Sequence, residues 1–325
     1  MSPKRFLRAL VRPRDALGEW TPSITLAVVA VVSLCALNAA SVAYAGDAIA
    51  GEVSGSVTVE NPEKLPEWVC EDSETDMPTV NDDGCDAPAT IQEPLRGAAS
   101  SAVDAVVLKA ALAPAAWVVL FASLFAVCSG SVGGRDGEVF AAFRDGLGIA
   151  AIAAVPGALR YLARPVAVQR ALADWTHPGT LNEVGTAAVH ALFPDGPLWA
   201  AVVVLSALWT GFVVFGGARA GFEMEVGLAA PLAAAAFLTT AASAALGNGG
   251  WTGTPGGIGL LLLGGGVVGL LAAYTYISIS KEFELVGFSG SRQVEPQSWY
   301  VGLHRLVALC VVVVGFVFLD GLALA

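Results

Sequence analysis

Apolar residues run through this chain in long unbroken blocks, neither alternating as in a strand nor striped as on a soluble helix. Residues 24–45 form a block of 22 without a charge, enough to cross a hydrocarbon core about 30 Å thick. Residues 102–127 form another, interrupted inside by Lys109, followed by a glycine-rich turn at 128–137. A second arm, apolar from about Gly146 to Ala163, carries Pro156, which predicts a bend. This helical hairpin, residues 102–163, is the element around which the chain is arranged. Further blocks follow at 198–215, 226–246, 257–279 and 300–324. The pattern predicts an all-α fold, a polytopic transmembrane helical bundle of about seven spans.

The polar positions divide the chain in step with the blocks. Residues 1–21 form a basic amphipathic segment, expected on the cytoplasmic side, and 22–46 the first span. Residues 47–101 form a small acidic extracytoplasmic insert. Residues 102–246 hold spans two to five, and 247–325 a C-terminal pair of spans. In the first segment Lys4, Arg5, Arg8, Arg12 and Arg14 are interleaved with Phe6, Leu7, Leu10, Val11 and Leu17. Two readings stand side by side: an amphipathic helix on an anionic membrane face, or a basic flank that orients the first span. Ala43-Tyr44-Ala45 also fits a signal-peptidase site, although the apolar run before it is long for a signal peptide.

Composition agrees with a membrane protein: 55% of residues are hydrophobic, 14% are charged, and the mean hydropathy is +0.68. The net charge of −11 belongs to one stretch. Residues 47–97 hold thirteen acidic and two basic residues, and the rest of the chain is balanced. Four lysines stand against thirteen arginines, a bias that suits a salt-loving host. With the N-terminus inside and seven spans, eleven Lys and Arg fall on the inner side and six on the outer, the sign expected of cytoplasmic loops.

Candidate chemistry is sparse. Cys35, Cys128 and Cys310 lie in or beside apolar blocks; Cys70 and Cys85 do not, and a disulfide between them is expected in an oxidising compartment. Asn81, Asp82, Asp83 and Asp86 offer oxygens but lack the spacing of an EF-hand loop. His177 and His190 lie thirteen residues apart without companion ligands. No metal or cofactor is expected, and nothing points to nucleic acid. Gly265, Gly269 and Ala273 make a small-residue stripe predicted to pack helix against helix. Lys109 and Arg160 are intramembrane charges that would suit a transport path, or would snorkel from span ends. Arg219 and Glu223, four apart, suit a helical ion pair. Gly287-Phe288-Ser289-Gly290 matches the G-x-S-G of rhomboid intramembrane proteases, though a polar run follows it and His304 is close in sequence.

Three stretches together are similar to the Yip1 family: Leu10-Val11-Arg12-Pro13-Arg14, residues 133–156, and residues 198–238. The similarity covers residues 6–246 once the acidic insert is set aside, as in an archaeal, halophile-type member. It implies a cytosolic N-terminus, five helices and no catalysis; eukaryotic members serve vesicle traffic through partner membrane proteins and small GTPases. The expected function is therefore a non-enzymatic multi-pass protein of the cell membrane. It would act as a scaffold or interaction partner for lipids or other membrane proteins, copies of itself included. The alternatives are a transporter or channel with a path between spans, and an intramembrane hydrolase at Ser289.

Overall fold

The computed structural model describes residues 3–20, 22–67, 70, 85–130, 135–194, 196–246, 256–284 and 296–319. Two short helices open the chain, α1 (Pro3–Val11) and α2 (Pro13–Glu19). They part at Arg12, with φ −132°, because a residue preceding proline is driven out of the helical region. Next come α3 (Ile24–Glu52), the strands β1 (Ser56–Glu60) and β2 (Thr90–Pro94), and α4 (Leu95–Cys128). Then follow α5 (Asp136–Ala154), a 3₁₀ turn (Val155–Gly157), α6 (Ala158–Ala171), α7 (Leu181–Ala191), α8 (Pro197–Gly221) and α9 (Val226–Leu246). The last helices are α10 (Gly256–Leu271), α11 (Ala273–Glu284) and α12 (Ser298–Phe318).

Five helical stretches among the described residues are long and apolar enough to cross a membrane: α3, α4, the continuous run Asp136–Asp174, α8 and α12. A sixth is counted if α10 and α11, bent by 76° to each other, are one span. The hydropathy blocks predicted seven. The difference lies in α9, a shorter apolar element, and in block 257–279, which is not one straight helix. Pro156 sits in the 3₁₀ turn, and the chain runs on through it instead of turning back. Of these, α3 and α8 are apolar on every face, as a helix between lipid and protein can be. Val28, Val32, Leu205, Phe212, Leu238 and Leu261 all point outward and exposed.

The buried interior is built on α4, whose Trp117, Phe121 and Phe125 are 0–3% exposed. Trp117 stacks on Phe121, and Phe125 on Phe222. The N-terminal helices dock against this bundle through Leu10 and Leu17 while their basic side chains stay exposed. Trp209 of α8 donates to the Leu10 carbonyl at 2.8 Å. Gly216 leaves room for Pro13, whose ring carbons lie 2.6 Å from where a Cβ would stand. So the segment packs on protein through Leu10, Pro13 and Leu17, and exposes its basic side chains together with Leu7 and Val11.

At the other end α3 runs on to Glu52 and α4 starts at Leu95, both beyond their apolar blocks. At 1.5 Å per residue, α4 is about 51 Å long, more than a hydrocarbon core about 30 Å thick requires. The strands are antiparallel, with Val57 opposite Glu93 and Val59 opposite Ile91. The alternation around Val57 and Val59 foretold β1; nothing foretold β2, which reads TIQEP. Lys64 donates to the Cys85 carbonyl at 2.6 Å. Cys70 and Cys85 are disulfide-bonded, with Cα atoms 5.7 Å apart. Most of the acidic run, residues 71–84, including the oxygen-rich stretch from Asn81, lies outside the described residues.

Candidate functional site

Polar side chains inside a lipid-embedded bundle need an account, and here they gather in two clusters. The first sits at the break between α10 and α11. In a continuous helix the Tyr274 N–H would bond to the Leu270 carbonyl, four residues back. The 76° bend separates them. Asp136, the first residue of α5, takes over the freed donors: it accepts from the N–H groups of Tyr274 (2.9 Å) and Thr275 (2.8 Å) and from the Thr275 hydroxyl (2.6 Å). Arg305 of α12, its side chain 0% exposed, takes over the freed acceptor, donating from Nε to the Leu270 carbonyl at 3.1 Å. The two then pair with each other, Arg305 Nη2 to Asp136 Oδ1 at 2.6 Å. A carboxylate at a helix N-terminus and a cation at a C-terminus is the arrangement the helix dipoles favour. Two distant parts of the chain thus meet at the break and take up the Tyr274 and Thr275 N–H groups and the Leu270 carbonyl.

The second cluster lies near half-height. Asn38 is 14 residues from each end of α3 and fully buried. Pro114 in α4 has no N–H to give to the Ala110 carbonyl; Asn38 Nδ2 donates to it instead, at 2.9 Å. The Asn38 amide oxygen accepts from Arg164 Nη1 at 2.9 Å. One turn earlier on α6, Arg160 Nη1 donates to the Thr240 carbonyl at 3.1 Å. Arg160 and Arg164 are 4% and 3% exposed. Beside Arg160 is a cavity of about 10 Å³, also lined by Pro114, Trp117, Tyr161, Thr210 and Thr240. That is the room one water needs. Arg160 therefore does not snorkel from a span end, as its place in the sequence suggested. Lys109 is half-buried on α4.

On the flank of the bundle an apolar groove of about 450 Å³ runs between α1, α3 and the α5–α6 turn. Phe6, Ala30, Ser33, Leu34, Leu37 and Val155 line it, and its volume falls in the range of about 300–1,000 Å³ typical of ligand sites. Arg5 and Arg8 of α1 edge a smaller hollow next to Trp20, where Arg8 meets Glu19 at 3.5 Å.

The predicted packing stripe is placed differently from its reading in the sequence. Gly265 is exposed, with nothing within 4 Å of the position of an added Cβ. Gly269 is half-buried, facing the Ala308 Cβ at 3.2 Å. Ala273 is buried, but beyond the bend, against Ile277 and Val301. The close approach of α10 to α12 runs instead through Gly259, Gly266 and Gly315. An added Cβ at Gly266 would meet the Val312 N at 2.7 Å and the Ala308 carbonyl at 2.9 Å. Arg219 and Glu223 form no helical pair, because α8 ends at Gly221 and Glu223 turns to φ +51°. Arg219 donates to the Met224 carbonyl instead. His177 accepts from the Ser54 N–H at 3.4 Å, while His190 sits on α7. Ser289 and its neighbours lie outside the described residues.

Residues 258–323 match a family of unknown function (DUF6199). The match takes in α10 to α12, with Tyr274, Thr275 and Arg305, but not Asp136. No Yip1 domain is detected in the chain, which overturns the similarity to that family. It rested on hydropathy and scattered glycines and prolines, which any multi-pass bundle shares. No curated protein and no solved structure matches the chain.

Proposed function

We propose that this chain is a non-enzymatic multi-pass protein of the cell membrane that binds an apolar partner sideways, in the groove beside α1 and α3. The partner is a lipid chain or the helix of another membrane protein, a second copy included. The observation that carries the reading is the groove itself: about 450 Å³, apolar, and bordered by a helix with exposed arginines. Passage through the bundle is the weaker reading, because the cavity that reaches Arg160 has room for about one water.

The orientation proposed puts the N-terminus in the cytoplasm and residues 47–101 outside, with α9 and α10 each counted as a crossing to make seven. The arginine asymmetry supports it. So does the meeting of Asp136, Thr275 and Arg305, which this alternation places at the same membrane face.

Filling the groove tests the reading. Ala30→Trp should leave helix content and melting temperature unchanged but cut the lipid or protein that travels with the chain in mild detergent several-fold, as read by native mass spectrometry. If Ala30→Trp retains the same companions in the same amounts as wild type, the groove is not the binding surface.

A further inference from the structure

We propose that the occupant of the groove is an anionic phospholipid of the leaflet on the α1 side. One acyl chain lies along α3, and the phosphate meets the basic side chains of α1. This rests on the groove reading above and narrows it. The length of the groove separates a lipid from a partner helix. Its wall on α3 runs from Leu26 to Leu37, and Val155 and Ala158 face it from the α5–α6 turn. Eleven residues at 1.5 Å each make about 16 Å, half of a hydrocarbon core about 30 Å thick. A helix of another membrane protein crosses the whole core and would need a groove along all of α3. A lipid chain starts at one interface and ends at the midplane, the stretch that the groove covers.

Charge selects the headgroup. The groove begins at the start of α3, where the basic segment joins it, and Phe6 of α1 lines it. Lys4 and Arg5, just before Phe6, are exposed, as are Arg8, Arg12 and Arg14. Five cations stand against two carboxylates, Asp15 and Glu19, in residues 3–20. Of the five, only Arg8 meets a carboxylate among the described residues, Glu19 at 3.5 Å. Leu7 and Val11 are 59% and 65% exposed on the same helix, so α1 offers water and lipid something to hold on one open surface. Such a helix lies at headgroup level, where each Lys or Arg attracts anionic lipid. Half-buried Trp20, at the end of the segment, is the aromatic side chain that this depth favours. A zwitterionic headgroup would bring its own ammonium against a surplus of positive charge.

The test is the lipid that the full-length protein retains. The chain is incorporated into bilayers of equal parts dioleoyl phosphatidylglycerol and dioleoyl phosphatidylcholine, extracted in mild detergent, and its lipids are counted by mass spectrometry. Wild type should keep phosphatidylglycerol over phosphatidylcholine by about fivefold or more, the factor one basic side chain near the surface supplies. Lys4→Gln/Arg5→Gln changes two exposed side chains outside the packed interior. It should remove the preference without removing phosphatidylcholine. Arg96→Gln, an exposed arginine where α4 begins at the opposite end of the bundle, should leave the preference intact. Ala30→Trp should lower both lipids. Equal retention of the two lipids by wild type, both still lowered in Ala30→Trp, would overturn this proposal and leave the groove reading standing. So would a preference undiminished in Lys4→Gln/Arg5→Gln, or a protein carried in place of lipid. Retention unchanged in Ala30→Trp would overturn both.

Discussion

Asp136→Ala is expected to destabilise the protein by about 3–5 kcal/mol, the cost of removing one partner from a buried ion pair. The carboxylate makes four contacts at once, to two backbone N–H groups, one hydroxyl and Arg305. Its loss strips Arg305 of a carboxylate at a site where that side chain is 0% exposed. It also leaves the start of α11 without its acceptor. Arg305→Met should cost less than Asp136→Ala, since it spares the Thr275 and Tyr274 bonds. The double variant should cost clearly less than the two singles added, because they share one contact. Thermal unfolding in detergent, followed by circular dichroism, reads all three. Asp136→Ala melting like wild type would mean that the bend in the C-terminal segment holds without its ion pair.

Gly315→Leu is the second large effect expected. A Cβ at that position meets the backbone N of Leu263, its Cα at 2.8 Å and the Gly259 carbonyl at 2.9 Å. Backbone atoms cannot swing aside as a side chain can, so α12 must separate from α10. Overpacking of this kind costs about 1–3 kcal/mol and more where backbone is involved. It also forfeits the close helix contact that replaces the hydrophobic effect within a membrane. Gly265→Leu is the matched control, a glycine of the facing helix α10 with nothing within 4 Å. Size-exclusion chromatography should show Gly315→Leu largely lost to aggregate and Gly265→Leu monodisperse. Equal recovery of the two would place the α10–α12 contact on another face.

The contrast between those glycines shows where the sequence could be read and where it could not. Gly264, Gly265 and Gly266 are consecutive, and α10 is apolar on every side. Without a polar face, nothing local fixes which of the three turns toward α12; tertiary packing does. The bend after Leu271 is equally hidden, because the carboxylate that meets its freed N–H groups, Asp136, is some 138 residues away in sequence. Asn38 passed as one more residue of an uncharged block. Pro114 was the available signal: a proline inside a span frees a carbonyl, and some donor must meet it. Arg160 was misjudged because distance along a block says little about depth once helices extend past their blocks, as α3 and α4 do. The long spans themselves were legible, since length and uninterrupted hydropathy are all that crossing a bilayer requires. The Cys70–Cys85 bridge was legible too, being the one pair outside the apolar blocks. It closes a loop with sequence separation 15 and contributes about 3 kcal/mol to a segment with little else to bury.

Whether the chain acts sideways through its groove is best answered in the native membrane. A photo-reactive amino acid placed at Ser33, which lines the groove, is compared with one at Leu205, which is 58% exposed on the outer face of α8. After illumination, Ser33 should yield one dominant adduct, a single lipid species or a single protein, and Leu205 a broad sample of bulk lipid. The same broad distribution at both positions would contradict a groove with a chosen occupant.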